Sequence, residues 1–130
     1  MGRAYTDNLL RMAAKAAGIV IVRSRLDDPM HTDMLIRGSA RSKDRIGPWN
    51  PIDDDGDALR LAAAVRQVVH IWQDGSQVSV ARTLPDGEDP PADSAEWNSA
   101  VVSPDAVLDV AAAARLAIVL NAAAAGRAMP

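Results

Sequence analysis

Four carboxylates, Asp53, Asp54, Asp55 and Asp57, surround Gly56 in the stretch WNPIDDDGDALRLA. Aspartates this dense can hold a divalent cation, move protons, or begin a helix. A calcium loop needs oxygen ligands at alternating positions, glycine at the sixth and a bidentate Glu at the twelfth. With Gly56 as the sixth, Asp53 and Asp55 occupy the third and fifth, but Pro51 stands first and Ala62 twelfth. Two ligands are then missing. A carboxylate acid/base pair needs environments that separate the two pKa values, and the surrounding residues supply none. A helix start accounts for more. The first N–H groups of a helix lack partners and its dipole favours negative charge, each carboxylate there contributing roughly 0.3–1 kcal/mol. Asp53 or Asp54 is expected to cap, with Ile52 packing back as a hydrophobic staple.

The remaining reactive residue types form no constellation. His31, in DDPMHTD, and His70, in QVVHIWQ, fall on different elements, so no pair of imidazoles shares a rigid scaffold. None of the serines stands in a nucleophile elbow or a Ser-x-x-Lys setting, and no glycine-rich run has phosphate-loop spacing. The chain has no cysteine, which excludes disulfides and thiolate chemistry. The expectation is a non-enzyme with no catalytic residue, no metal ligand and no cofactor.

Basic residues offer a different chemistry. Arg37, Arg41, Lys43 and Arg45 cluster around one loop, with Arg23 and Arg25 on a neighbouring strand. Such a patch can neutralise phosphates, and Trp49 or Trp72 could stack a base. Residues 1–46 carry nine Lys/Arg against five Asp/Glu, whereas the rest carries five against twelve. The acidic remainder opposes a polyanion, and four phosphate contacts give a log–log salt slope of only about −3.6. Nucleic-acid binding through this loop is therefore the alternative reading, behind binding to a protein partner or self-association. Trp49 is expected as a core anchor.

These residues must be placed by a small set of elements. Apolar residues at helical spacing from Thr6 to Ala17 predict a helix that Gly18 ends. IVIVRSRL (Ile19–Leu26) and TDMLIRG (Thr32–Gly38) predict a hairpin. A loop over 39–47 and a turn at Asn50-Pro51 lead into a second helix. QVVHIWQ and SQVSVAR predict a second hairpin through a tight two-residue turn at Asp74-Gly75, with Ile71 facing Val78 and Val69 facing Val80. An acidic, proline-rich loop covers 85–101. A last helix is expected from Pro104, capped by Ser103 and stopped by Gly126. The order α-β-β-α-β-β-α predicts an α/β (α+β) domain with one four-stranded antiparallel sheet.

At 130 residues with formal net charge −3, the chain suits a single domain over 1–130 with an aliphatic core, since it has no Phe and one Tyr. The most apolar run, VAAAARLAIVLNAAAAG, is interrupted by Arg115 and Asn121, and charges near the start break up any signal-peptide core. A soluble, cytoplasmic protein without a membrane association is expected.

Three stretches also carry a resemblance. WNPIDDDGDALRLA is similar to a Trp-x-Pro, Asp-rich, Asp-Ala-Leu-Arg-Leu-Ala segment of small phage and prophage proteins, the phage ABA-sandwich group. LLRMAAKAAGI near the start and ARLAIVLNAAAAG near the end resemble the same group. The resemblance touches roughly a third of the chain. It implies a three-layer α/β/α sandwich and a phage or prophage accessory role, and it implies no site residue.

Overall fold

A computed structural model describes residues 3–23, 35–37, 47–82, 99–105 and 108–129. In chain order these form α1 (Arg3–Ala17), β1 (Ile21–Arg23), β2 (Leu35–Arg37), β3 (Gly47–Pro48), α2 (Asp55–Val65), β4 (Gln67–Ile71), β5 (Val78–Arg82), β6 (Ser99–Val102) and α3 (Val110–Ala128). The class is mixed α+β.

The central element is α3, which packs against α1, α2 and the sheet formed by β4, β5 and β6. Its sequence, VAAAARLAIVLNAAAAGRA, is apolar nearly all round, as a helix enclosed by other elements must be. Ala113, Ala117, Val119, Ala122 and Ala123 are completely buried in one core with Leu9, Ala13, Leu61, Val78 and Val80. By length and composition α3 could cross a membrane despite the interruptions at Arg115 and Asn121, but half of its apolar stretch is buried inside the protein. Trp49 is 2 % exposed and follows β3 directly, its N–H donating to the Leu35 carbonyl at 3.0 Å. It thereby ties the first sheet to the helices.

The expected four-stranded sheet, and with it the three-layer sandwich in the order α-β-β-α-β-β-α, is overturned. Each hairpin instead gains its own third strand, giving two three-stranded antiparallel sheets, β1-β2-β3 and β4-β5-β6. The free edge of β2 is taken by Gly47–Pro48, in the last part of the expected loop 39–47. That of β5 is taken by Ser99–Val102, in the last part of the expected loop 85–101 and just beyond it. With those edges filled, the hairpins have no reason to join. Neither third strand has a recognisable alternation. One is two residues long and contains proline, and the other follows a proline-rich run. The rest of both loops lies outside the described residues.

Three local expectations also change. The Asp74-Gly75 hairpin keeps its register, Ile71 opposite Val78 and Val69 opposite Val80. It closes, however, at Trp72 and Gln77, with the Trp72 N–H donating to Gln77 O at 3.0 Å and the Gly75 N–H to Trp72 O at 2.8 Å. Gly75 has φ +71° and Asp74 has no positive φ, so this is a four-residue loop and not the mirror-image two-residue turn. Next, α3 starts at Val110 rather than Pro104. Asp105 forms a separate turn with Leu108, and Asp109 caps the helix by accepting from the Ala112 N–H at 2.8 Å. Finally, Gly126 does not stop α3.

Gly126 lies inside the helix because the α1 backbone crosses there. A Cβ on Gly126 would fall 1.8 Å from the carbonyl oxygen of Met12. Gly18 is different: its φ is +71° and nothing lies within 4 Å of a Cβ built on it. Its role is to reverse the chain after α1. Gly126→Ala is expected to lower stability by about 3 kcal/mol or more in urea unfolding, through forced separation of α1 and α3. Gly18→Ala should cost about 1 kcal/mol, from backbone strain alone. Equal losses at the two positions would contradict the packing role of Gly126.

Candidate interaction site

The four aspartates each have a structural partner. Asp54 is the N-cap of α2, its Oδ2 accepting from the Asp57 N–H at 2.7 Å. Asp53 accepts from Asn50 Nδ2 at 2.9 Å. Asp55 pairs with Arg115 of α3 at 2.5 Å, while the Arg115 Nε–H donates to the Ile52 carbonyl at 2.7 Å. Asp57, one of the few buried charged groups, accepts from the Asn50 N–H at 2.9 Å and pairs with Arg60 at 2.8 Å. Asn50 therefore organises the entry to the helix, and Arg115 anchors that entry onto α3. Among the described residues no three carboxylates or imidazoles converge to hold a metal ion.

Of the basic residues with nucleic-acid potential, Arg41, Lys43 and Arg45 lie outside the described residues. Arg37 lies in β2 with its backbone opposite Ile21 and Gly47. Arg25 and His31 are likewise outside. Arg23 lies in β1 with its backbone opposite Leu35.

The described residues bring together a different group. In the sheet β4-β5-β6, β4 is an outer strand whose far edge pairs with nothing among the described residues. It is fixed to α3 at its start, where Gln67 Nε2 donates to Ile118 O at 3.1 Å and Asn121 Oδ1 at 3.0 Å. From Val68 to Ile71 every residue is exposed. Val69 and Ile71 share the face of Val78 and Val80, yet they are 38 % and 49 % exposed while those two valines are sealed against the core. On the opposite face Val68, His70 and Trp72 project, and Val101 of β6 joins them across Ser79. His70 and Trp72 meet edge to face, ring centroids 4.5 Å apart at 88°.

Sequence reading located this strand and its pairing but not its exposure. The missed signal is the uncharged run Gln67–Gln73, which lacks the lysine, proline or bulge that protects an exposed strand edge. The turn that follows is firmly built. The hydroxyl and backbone N–H of Ser76, the latter at 2.9 Å, hold the Asp74 carboxyl below its ordinary range. A lowered folded-state pKa means that this contribution is present above the ordinary carboxylate range and lost as pH falls through the lowered value.

No protein-family model, curated protein or solved structure matches this chain. The candidate site therefore stands on its own geometry.

The role of the aspartates is open to a direct check. Asp54→Ala should lower stability by about 1 kcal/mol, because the first turn of α2 loses its acceptor, whereas Asp54→Asn should change it little. Millimolar Ca²⁺ or Mg²⁺ should leave the melting temperature of the unmodified protein unchanged, since no binding is linked to folding. A saturable rise of several degrees would contradict the capping role.

Proposed function

We propose that this chain is a non-catalytic interaction module, a phage- or prophage-type accessory protein of the cytoplasm, that binds another protein or its own copy by strand addition along β4. The observation that carries this reading is the edge of β4, unpaired among the described residues, with apolar side chains exposed on both faces. Strand addition takes its affinity from main-chain hydrogen bonds and its selectivity from alternate side chains. Val69 and Ile71 supply one set of side chains, and Val68, His70 and Trp72 the other. The accessory role is supported by the similarity of WNPIDDDGDALRLA to the phage segment. The aspartates in it support no catalytic reading, because capping, ion pairing and, for Asp53, the Asn50 side-chain amide engage all four.

A photoreactive benzophenone side chain in place of Ile71 tests the reading inside cells. Leu59, 71 % exposed on α2, gives the control position. Illumination should yield protein adducts from position 71 well in excess of those from position 59. Equal yields at the two positions, or adducts to nucleic acid, would overturn it.

A further inference from the structure

We propose that Gln67 and Asn121 are positioning residues for β4: their hydrogen bond holds the strand in one of two registers, the one that leaves Val69 and Ile71 uncovered by α3. The use of that edge rests on the strand-addition reading, whereas the register rests on the geometry of β4 itself.

Asn121 is completely buried on α3, at the centre of an aliphatic core. Its Oδ1 accepts from Gln67 Nε2 at 3.0 Å, and the same amide donates to Ile118 O at 3.1 Å. Gln67 Oε1 is also buried and has no partner among the described residues. A buried amide left partly unsatisfied lowers stability, and an apolar pair of similar shape would fill the space without that loss. What the amides supply is discrimination. A buried polar group disfavours any apolar residue brought opposite it, and in this way a single asparagine can fix a register.

The sequence contains a second register to be disfavoured. On the face toward α3, Gln67, Val69 and Ile71 stand opposite Arg82, Val80 and Val78, and exposure increases from Gln67 to Ile71. Sliding β4 by two residues keeps every side chain on its own face, because strand side chains alternate. Val69 would then take the place of Gln67, Ile71 would face Val80, and Gln73 would take the outermost place. Gln67 and Val68 would join the link that follows Arg66. Burial of apolar area favours this arrangement, since valine replaces an amide at the most buried place and glutamine replaces isoleucine at the most exposed. The turn permits it. Asp74 and Gln77 would close the hairpin around Gly75-Ser76, and glycine leads the two-residue type II′ turn. In the observed register Trp72 and Gln77 close it instead. Two polar anchors oppose the slide: Gln67 on Asn121 at the start of β4, and Asp74 on the Ser76 N–H at 2.9 Å in the turn.

Cysteine pairs read the register, because the chain has no cysteine of its own. His70 stands opposite Ser79 on the face away from α3, and after the slide Trp72 would stand there. Directly opposite residues are within disulfide reach, whereas diagonal ones lie roughly 7–8 Å apart and are not. In the otherwise unmodified chain, His70→Cys/Ser79→Cys should form an intramolecular disulfide in about tenfold or higher yield than Trp72→Cys/Ser79→Cys. Asn121→Leu should reverse that order and lower the adduct yield from position 71 severalfold. Adding Gln67→Leu to Asn121→Leu should restore the order, with a urea midpoint no lower than that of the unmodified protein. Asp74→Ala changes an exposed side chain and leaves the core intact, and it alone should raise the 72–79 yield severalfold. An order unchanged by Asn121→Leu, loss of both disulfides in that variant, a lowered urea midpoint in the double variant, or no rise with Asp74→Ala would overturn the proposal. In each of these cases, adducts from position 71 in excess of those from position 59 would leave the strand-addition reading standing. Absence of that excess in a chain that passes the disulfide tests would remove the reading and leave the register assignment.

Discussion

The fold depends on one close contact, the passage of the α1 backbone over α3 at Gly126. With room for a hydrogen atom and nothing larger beside the Met12 carbonyl, the two helices approach at backbone distance. The chain has no Phe and fills its core with Ala, Val, Leu and Ile, so it cannot bridge wide gaps between elements. Short side chains give dense packing only when the backbones come near each other. Ala13 and Ala14 on α1, with Ala122, Ala123 and Ala125 on α3, meet that condition, and Lys15 closes the end of the contact by donating to the Met129 carbonyl at 3.1 Å.

The same economy of side chains explains the exposed strand. Once α3 is engaged by α1, α2, β5 and β6, its reach over β4 ends near the Gln67 contacts with Ile118 and Asn121. Val69 and Ile71 lie on the correct face for the core, but no described helix extends far enough to cover them. A strand left in this condition is prone to pair with another strand. The structural core and the proposed interaction are thus linked: the tight helical packing that stabilises the domain is what leaves β4 uncovered by the described helices.

Much of this was legible from local chemistry. The glycine after α1, the aspartates before α2 and the register of the β4–β5 hairpin each follow from a few neighbouring residues. Contacts distant in sequence were not. Gly126 reads as a helix stop because a C-terminal glycine usually is one, and only the crossing of α1 gives it another purpose. Pro104 and Ser103 have the composition of a helix start, but Asp105 closes a turn with Leu108 and Asp109 provides the actual cap. The strands Gly47–Pro48 and Ser99–Val102 owe their existence to the edges of β2 and β5, and a strand defined by its neighbour leaves little trace in its own sequence. For the candidate site, the apolar alternation of QVVHIWQ was visible. That its aliphatic face would remain open depended on the length and placement of α3.

The most direct test of the account is hydrogen exchange resolved to single amides in β4, measured at several protein concentrations. The amides of Val68 and His70 are bonded to β5 and should be protected at every concentration. Those of Val69 and Ile71 face the outer edge and should exchange rapidly in dilute solution, gaining protection as concentration rises and strands add to that edge. Val69 and Ile71 amides that stay unprotected at the highest concentration, or that are already protected at the lowest, would contradict it, because the edge would then be either unused or covered within one chain.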